Sequence, residues 1–590
     1  MAQGGFRGLF DPLGMLRHEN FPPSKTGGAG LLGESLWLEP GSGRDGPSLL
    51  ASSNGDVYVG FIGDLFNAAE LCLVLSLPEG SDAATLILRC IAAWPDGWLQ
   101  RLDGQFAVVV WQRNPARIEI ARDVCGAYSV YYARDPAGRL AFSTRLPDLL
   151  GAAGIRPRLA RRSLHEYLRF LDIAAPNTIY EGVLALDSGS RLTCTARGLQ
   201  VEAAAMLEPE PPIGDFAQAV DRLDALMHES IERRLRGSSR AAAVLSGGVD
   251  SALICAIASR VAPGLQTITV GFGSGPADLS PVATRIAQHL HLENRILRFD
   301  REASVAAFES FSRNAEQPTA DPASSPTLLA FQHCRGRHDT VLDGTGADAL
   351  AGEMPPRHVR IALQYASLLP APLRRVVRAG LGSLPVLSGY APIFDFEHPA
   401  EMMIRWRGFT LRELPEFCGE RADLEHTQFF RTFSQFPRSE HYRRFGALHA
   451  ASPDDRLHQS ARMTGLTVRY PFLESRVAGY LRQAPMKYLY APGEPKRLLK
   501  HLLSRYVPRS VWDVPKQGFN FPLLDFLTAD NCRIARRHLA RERWLDRGVL
   551  DAEKIAALAD RFAAGEHALA FKVLALAVLD LWLDSHEFAH

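Results

Sequence analysis

Short apolar runs separated by turn residues dominate the first 200 or so positions. The runs are DVYVGFIG (56–63), GQFAVVVWQ (104–112), RIEIARD (117–123), SVYYARD (129–135) and RLAFSTR (139–145), and Gly, Pro and Asp separate them. Closely spaced strands bounded by such residues are typical of a layered antiparallel domain. The pattern therefore predicts an antiparallel β domain with accompanying helices over residues 1–207.

A different pattern follows EPEPPIG (208–214), a Pro-rich acidic stretch that we interpret as a linker. Apolar strand-like runs now alternate with helical ones, in the order AAAVL, SALICAIASRVA, LQTITVGF, PVATRIAQHLHL, NRILRF and TVLDGTGADALAG. This alternation favours a parallel sheet covered by helices on both faces. Beyond about residue 355 the pattern is mostly helical. We therefore predict a second domain of the α/β class, with a helical region, over 215–590.

Composition narrows the class of protein. A chain of 590 residues with a net charge of +1 has no global field that would attract nucleic acid or a membrane surface. Its eight cysteines form no CxxC pair, and the N-terminus lacks the pattern of a signal peptide. We expect reduced thiols in a cytoplasmic protein. The most apolar late stretch, Ala568–Leu583, contains Lys572 and Asp580 and predicts a buried helix rather than a membrane span.

The stretch SGGVDS (246–251) lies between a predicted strand and a predicted helix. Gly247 and Gly248 allow the backbone to approach a ligand closely, and the N-terminus of the following helix favours an anion such as phosphate. Asp250 does not suit a phosphate by itself, but it suits Mg²⁺, which takes one or two carboxylates together with phosphate oxygens. An ordinary strand-to-helix turn is the alternative interpretation of this stretch.

A second carboxylate is expected at the same edge of the sheet. Asp348 in DGTGADAL (343–350) meets this requirement, because it follows another predicted strand of the parallel sheet and strand ends share one edge. The Walker A pattern is absent. The two loops together therefore favour a site for ATP and Mg²⁺.

With these residues in view, the chain resembles the asparagine synthetase superfamily, in which SGGxDS is the pyrophosphatase loop. The segments 102–112, 121–135 and 139–150 resemble the glutaminase domain of that superfamily. TVRYPFLESRV (467–477), PKRLLKHLLSRYVPRSV (495–511) and PKQGFNFPL (515–523) resemble its synthetase segments. The resemblance runs nearly end to end. It implies an ATP-dependent carbon–nitrogen ligase that forms AMP and pyrophosphate.

The resemblance also implies which residues hold ATP: Leu245 and Val270 at the adenosine, Asp343 and Gly344 near the nucleotide, Ser246, Gly247, Gly248 and Ser251 around the pyrophosphate, and Asp250 and Asp348 on Mg²⁺.

Lys496 matches the synthetase lysine thought to stabilise charge as the acyl-adenylate forms and collapses, a role that suits a compact point charge. Lys516 is a weaker candidate, since a lysine in a surface loop is the alternative.

The N-terminal domain departs from the pattern of a working glutaminase. That enzyme uses a cysteine at position 2 with its own amine as base, whereas position 2 here is Ala and the first cysteine is Cys72. Ile62 stands where the family has Asn, although GSD (80–82) persists and we interpret Asp82 as a remnant of the glutamine site. We therefore expect no hydrolysis of glutamine, and an amine nucleophile other than ammonia.

Thr345 departs from the family in the second loop. Asparagine-forming members carry Glu between these glycines, and β-lactam synthetases carry Tyr. The remaining branch that the chain resembles is the lasso-peptide cyclases. These enzymes adenylate an Asp or Glu side chain of a core peptide, and the N-terminal amine of the peptide then closes a macrolactam. The resemblance implies a ribosomal precursor peptide as substrate and a leader-binding protease as partner.

The base that accepts the amine proton is not identified by the resemblance. Glu316, in NAEQPTADPASSP (314–326), is a candidate because it follows a helical run near the strand ends, and a surface carboxylate is the alternative. Two other functions stay open for the whole chain: a superfamily ligase that uses ammonia or a small amine, and an inactive scaffold that binds nucleotide.

Three further patterns have simpler interpretations. HEFAH (586–590) fits a zinc-protease pattern but lies at the end of the given sequence, where helices fray. RIARRHLARER (533–543) predicts a solvated basic helix face, with an acidic leader peptide as an alternative partner. GFGSG (271–275) predicts a turn after a strand rather than a dinucleotide loop.

Overall fold

The computed structural model describes residues 6–13, 30–33, 35–40, 48–51, 55–124, 126–204, 213–273, 278–351, 357–403, 408–435, 456–491, 493–514 and 521–588. Ala2, Cys125, Lys516, residues 208–212 of the predicted linker, residues 274 and 275 of GFGSG, and the last two residues of HEFAH lie outside these ranges.

The N-terminal domain contains two antiparallel sheets. Their strands are β1 (Phe6–Phe10), β2 (Gly30–Gly33), β3 (Leu36–Pro40), β4 (Ser48–Ala51), β5 (Val57–Leu65), β6 (Gly104–Gln112), β7 (Arg117–Arg122), β8 (Tyr131–Arg134), β9 (Leu140–Ser143), β10 (Val183–Ala185), β11 (Ser190–Thr195) and β12 (Gly198–Ala203). One sheet has the order β10-β8-β9-β1-β3-β2 and the other β12-β11-β7-β6-β5-β4. The five apolar runs quoted above form β5 to β9, which confirms the predicted antiparallel domain.

The two sheets face each other, and alternation along the strands decides which side chains lie between them. In β6, Val109 and Trp111 pack between the sheets, whereas Val108 and Val110 point to the opposite face. That opposite face is covered by α1 (Ala68–Val74) and α2 (Ala83–Ala93). The other sheet is covered on its outer face by α3 (Leu146–Ala153) and α4 (Arg161–Phe170).

The second domain is built on a parallel sheet. Its strands are β13 (Ala241–Val244), β14 (Gln266–Val270), β15 (Glu293–Leu297), β16 (Thr340–Leu342) and β17 (Val468–Arg469), in the order β15-β14-β13-β16-β17, and β18 (Tyr490–Ala491) with β19 (Glu494–Pro495) makes a small antiparallel pair. The alternation of apolar runs predicted β13 to β16. The pattern did not predict β17, because a strand of two residues is too short to show an alternation of apolar and polar positions.

The helices of this domain cover both faces of the sheet and continue into the helical region. They are α5 (Phe216–Leu235), α6 (Val249–Val261), α7 (Ser280–His289), α8 (Arg301–Asn314), α9 (Ser324–Cys334), α10 (Ala347–Leu350), α11 (Arg357–Gln364), α12 (Ala371–Gly382), α13 (Leu414–Cys418), α14 (Gln428–Gln435), α15 (Arg456–Thr464), α16 (Ser475–Gln483), α17 (Met486–Leu489), α18 (Arg497–Leu503), α19 (Arg509–Trp512), α20 (Leu523–His538), α21 (Arg541–Arg547), α22 (Ala552–Ala563) and α23 (Ala570–Leu583).

The largest apolar cluster crosses the predicted domain boundary. It joins the outer face of the first sheet and α4 to α8, α20 and α23, and the Tyr167 hydroxyl donates a hydrogen bond to the Ala575 carbonyl at 2.8 Å. Helix α23 is buried as expected. Among the described helices, none has the length and apolarity that crossing a membrane would require. The two sequence domains therefore share one core.

Three arginines of the basic stretch 533–543 form ion pairs with acidic residues of neighbouring helices. Arg537 contacts Glu309, Arg541 contacts Glu553, and Arg543 contacts Asp580 at the buried end of α23. At the end of the described chain, His586 stacks on Trp582 with ring centroids 4.3 Å apart. The cysteines of the described residues are free and buried. Each of these features is accounted for by packing.

Candidate active site

The strand order of the parallel sheet creates a crevice. From the central strand β13, the sheet continues through β14 and β15 on one side and through β16 and β17 on the other. Ligands of open α/β sheets bind where the strand order reverses, outside the carboxyl ends of the strands. The loops after β13 and β16 meet at this point, since a Cβ built on Gly344 would lie 3.4 Å from the Cβ of Asp250.

The loop 246–251 has the shape of an anion cradle. Gly247 has φ +82°, and a Cβ at this position would lie 2.9 Å from the Leu279 carbonyl oxygen, so glycine is required. The Ser246 N–H donates to the Ser251 hydroxyl at 3.1 Å, which holds the loop closed on itself. Helix α6 follows, with Gly248 as its N-cap. Because a glycine has no capping side chain, the first N–H groups of α6 are left for an anion.

Lys496 lies between the two predicted metal ligands. Its ammonium forms ion pairs with the carboxylates of both Asp250 and Asp348, which come from different loops. Burial by itself would lower the pKa of Lys496, but the charges of the two carboxylates outweigh burial and raise the pKa above its usual value. Its backbone has φ +54°, in the left-handed region. Backbone strain of this kind is found at functional sites, where the surrounding fold enforces it.

The cleft brings together nearly all of the residues that the sequence singled out. Those that line it are Ser246, Gly247, Gly248, Asp250, Ser251, Val270, Asp343, Gly344, Asp348 and Lys496. Thr345 also lines it, with its N–H donating to Asp343 at 2.9 Å. This threonine therefore shapes the loop that carries Asp343 and Asp348.

Leu245 is the exception among the expected nucleotide residues. Its side chain is fully buried in the core of the sheet, and its carbonyl accepts a hydrogen bond from Thr269. Val244 and Ser246, on either side of it, line the cleft instead. Neighbouring residues of an extended chain point to opposite sides, so Val244 and Ser246 face the cleft while the Leu245 side chain faces the core.

Glu316 does not lie in the cleft. Its carboxylate is buried and accepts hydrogen bonds from Arg145 at 3.2 Å, from the Leu146 N–H at 3.0 Å and from Arg462 at 3.3 Å. Arg145 belongs to the N-terminal domain and Arg462 to the second domain. A carboxylate held by two guanidinium groups joins the domains and is poorly placed to accept a proton from a substrate amine, which corrects the expectation from sequence.

Three charged side chains of the cleft were missed by the sequence reasoning: Arg456, Lys500 and Asp513. Arg456 forms an ion pair with Asp321, and Lys500 forms one with Asp513 at 3.2 Å. Lys500 follows Lys496 by four residues, a spacing that places both near one face of α18 and that was available from sequence. Arg456 and Asp321 are far apart along the chain, and no local pattern connects them.

The geometry fits a magnesium ion bound together with ATP. The carboxylates of Asp250 and Asp348 converge on one cationic group, the Lys496 ammonium, beside the glycine loop. Mg²⁺ prefers carboxylate and phosphate oxygens and keeps several waters. Asp250 and Asp348 would hold the ion, which would neutralise phosphate charge and orient the pyrophosphate.

The N-terminal domain has no comparable arrangement at the positions described. Ile62 is a buried residue of β5, paired with Ala107 of β6. Asp82 is the N-cap of α2, where its side chain accepts from the Thr85 N–H and hydroxyl, and the hydroxyl bond lowers the pKa of this carboxyl. The presence of Asp82 in GSD therefore has a structural explanation, because its side chain caps the N-terminus of α2.

Residues 222–584, more than half of the chain, match the asparagine synthase family. The chain belongs to this family. Residues 44–204 match the glutamine amidotransferase domain. Each of the two sequence domains of this family member therefore has a matching family model. It is an ATP-dependent ligase of the asparagine synthetase type.

Individual relatives agree with the family. This asparagine synthase family member is 28% identical over 501 residues to a putative glutamine-hydrolysing asparagine synthetase of Mycobacterium tuberculosis, covering 80% of this chain and 75% of that protein. It is 22% identical to asparagine synthetase 1 of Bacillus subtilis, over 82% and 79% of the two chains. The amidase chyE of Penicillium rubens is also 22% identical, over 75% and 73%.

Proposed function

We propose that this enzyme adenylates an Asp or Glu side chain of a ribosomally made core peptide and closes a macrolactam with the N-terminal amine of that peptide, as lasso-peptide cyclases do. The observation that carries the proposal is the position of Lys496 between Asp250 and Asp348, beside the glycine loop. This arrangement supports adenylation of a carboxylate.

The residues of the cleft suit both halves of such a reaction. In the first, an oxygen of the substrate carboxylate attacks the α-phosphorus of ATP, and pyrophosphate leaves towards the loop 246–251 and the N-terminus of α6. In the second, the amine attacks the acyl carbon and gives up a proton to solvent, the bond between the acyl carbon and the phosphate oxygen breaks, and AMP leaves as the amide forms. We expect the ammonium of Lys496 to stabilise the negative charge that develops on the phosphate oxygens in the first step and on the acyl oxygen in the second.

The source of the amine favours a peptide over free ammonia. Position 2 is Ala, no cysteine precedes Cys72, and Ile62 replaces the family Asn. A domain without these groups lacks the nucleophile that would release ammonia from glutamine. We propose that it does not hydrolyse glutamine, and that a leader-binding protease prepares the peptide.

A ligase that uses ammonia or a small amine is the second candidate, and two observations favour it. The relatives named above include asparagine synthetases. In addition, a small cavity lies at the domain interface, lined by Gln105 and Tyr128 on one side and His458 and Arg469 on the other. A small amine fits such a cavity better than a peptide does.

Mass spectrometry of a precursor peptide separates the two candidates. The peptide encoded beside this gene is coexpressed with its processing protease and with the enzyme, and the Asp250→Ala variant serves as the control. A core peptide lighter by one water, absent with Asp250→Ala, is the expected result. A linear core peptide in both samples, together with pyrophosphate release driven by ammonia and a free amino acid, would establish the second candidate instead.

A further inference from the structure

Lys496 is the counter-ion of the two carboxylates that suit a metal ion. Its ammonium pairs with both Asp250 and Asp348, and only 6% of its side chain is exposed. Asp250 lies in the first turn of α6 and Asp348 in the first turn of α10, so the two carboxylates come from remote parts of the chain. The protein therefore supplies a positive charge of its own at the place where these carboxylates converge.

The backbone of Lys496 is fixed, whereas its side chain has room to move. Lys496 is the N-cap of α18, and this helix is anchored in the core by its buried leucines, Leu498, Leu499, Leu502 and Leu503. The four-carbon stem of a lysine has several rotatable bonds. Because Lys496 also lines the cleft, its ammonium can leave the two carboxylates and remain in the cleft without any displacement of α18.

An ammonium and a magnesium ion cannot share these two carboxylates. Mg²⁺ binds oxygen ligands at about 2.0–2.1 Å in near-octahedral geometry, whereas an ammonium donates hydrogen bonds to carboxylate oxygens at about 2.7–2.9 Å. Either cation, placed between Asp250 and Asp348, fills the space that the other needs, and two adjacent cations repel each other. One of them therefore has to leave before the other can bind both carboxylates.

We propose that Lys496 competes with the metal ion for Asp250 and Asp348, and so keeps the metal site closed until ATP arrives together with the ion. The phosphates of ATP provide oxygen ligands for Mg²⁺ and an anionic partner for the released ammonium. Exchange is therefore favourable for the metal with ATP and unfavourable for the metal alone. Lys496 makes the metal and the nucleotide bind as one unit.

The exchange also decides when the charge of Lys496 is available. While the ammonium pairs with Asp250 and Asp348, its charge is committed to these carboxylates. Once released beside the loop 246–251, it is free to contact phosphate oxygens. A second lysine of the cleft, Lys500, pairs instead with Asp513 at 3.2 Å. The competition is therefore specific to Lys496, and Lys500 offers a comparison within the same cleft.

Binding of Mn²⁺ to the full chain without nucleotide tests the proposal, with free Mn²⁺ measured by electron paramagnetic resonance. Lys496→Met removes the ammonium and keeps an unbranched side chain, so the dissociation constant for Mn²⁺ should fall by about tenfold or more relative to the wild type. Lys500→Met is the matched control, because it removes the same charge from the same cleft. Its dissociation constant should stay within about twofold of the wild type.

Two further variants locate the ion and guard against a loss of folding. Asp348→Asn, added to Lys496→Met, should abolish the gain in affinity because a metal ligand is lost. Lys496→Gln is neutral but still donates a hydrogen bond to a carboxylate, so it keeps the proposal testable if Lys496→Met does not fold. It should also bind Mn²⁺ more tightly than the wild type. Thermal unfolding followed by circular dichroism verifies that each variant is folded.

Two results would overturn the proposal. Folded Lys496→Met or Lys496→Gln protein that binds Mn²⁺ no more tightly than the wild type would show that the ammonium does not compete with the ion. An equal gain in Lys500→Met would show that any positive charge in the cleft weakens metal binding. The titration contains no peptide, amine or ATP, so its outcome does not depend on which acyl substrate or amine the enzyme uses.

Discussion

At the scale of single residues, Lys496 and Glu166 each place an ionisable group in a buried environment. Lys496 adopts the left-handed backbone region, which costs a non-glycine residue about 1–2 kcal/mol, and its ammonium is buried between two carboxylates. Glu166 is fully buried in α4, where its carboxyl accepts from Asn177 at 2.7 Å and from the Ala174 N–H at 3.1 Å. Lys496 serves the proposed chemistry, whereas Glu166 does not line the cleft.

Replacing Lys496 should separate the effect of its ammonium charge from the effect of its left-handed backbone. Lys496→Ala and Lys496→Gly both remove the ammonium, so pyrophosphate release should fall by about 10²–10³ or more in each. Glycine adopts φ +54° without strain, so Lys496→Gly should unfold at a higher temperature than Lys496→Ala. Thermal unfolding and a pyrophosphate assay on both variants check this. Equal turnover in the wild type and either variant would show that the Lys496 ammonium takes no part in the reaction.

Glu166 should make the stability of the protein depend on pH. Burial raises the pKa of Glu166 to about 7, although the two hydrogen bonds oppose the shift, whereas the unfolded chain has a Glu pKa near 4.3. A raised pKa in the folded state means that the stabilisation is complete below about pH 4 and is lost as the pH rises through about 7.

Glu166→Gln should therefore unfold at a higher temperature than the wild type at pH 8, where the wild type must keep a buried charge. The advantage should shrink as the pH falls towards 5. Thermal unfolding across this range measures the difference between the two curves. A constant difference at all pH values would show that Glu166 does not titrate in this interval.

At the scale of elements, the strand–loop–helix unit β13–α6 is shaped for an anion by backbone geometry. Gly247 takes a positive φ against the carbonyl of Leu279, and Gly346 has φ +97°, where a Cβ would lie only 2.4 Å from a methyl carbon of Leu473. Both glycines hold the two loops where the carboxylates of Asp250 and Asp348 can meet. No other residue type fits either position without moving its neighbours.

Gly247→Ala should lower turnover by at least tenfold, because the added methyl group pushes the loop away from Leu279. Gly237→Ala is the matched control: Gly237 has φ +78°, but a Cβ there meets nothing within 4 Å. Both variants carry the cost of a positive φ, and Gly247→Ala adds the contact with Leu279, so it should lose more stability than Gly237→Ala, and normal pyrophosphate release is expected only in Gly237→Ala. Equal activity in the two variants would show that the loop tolerates displacement.

At the scale of the whole molecule, the two sequence domains are not independent bodies. One apolar cluster contains Leu9, Tyr131 and Tyr167 from the first domain, and Phe308 and Trp582 from the second. Between the domains, Gln105 donates to the Val468 carbonyl at 3.2 Å, and Arg469 pairs with Asp64. The glutaminase-like domain therefore contributes to the stability of the ligase through these contacts.

The isolated fragment 215–590 should be poorly soluble. Removing the first domain exposes the side of the shared cluster that packs on α4, and it leaves the buried Glu316 carboxylate without its contacts to Arg145 and the Leu146 N–H. Expression of the fragment beside the full chain, followed by thermal unfolding, checks this. A soluble fragment that unfolds at the temperature of the full chain would contradict the shared core.

The residue patterns of the chain determined the elements and the chemistry of the loops. Alternating and continuous apolar runs gave the correct type for β5 to β9 and β13 to β16, because strand periodicity is a local property. The spacing of Gly and Asp in 246–251 and 343–350 likewise identified the residues that meet in the cleft. These signals lie within a few residues of each other and need no knowledge of the fold.

Only the tertiary structure decided which distant groups meet. It placed Lys496 against Asp250, 246 positions earlier in the chain, turned Leu245 into the core, and drew Glu316 into a contact between domains. It also joined the two predicted domains through one core and left Leu373 and Val376 of α12 exposed. Such outcomes depend on how whole layers pack against each other, and packing is a property of surfaces assembled from remote segments rather than of any local pattern.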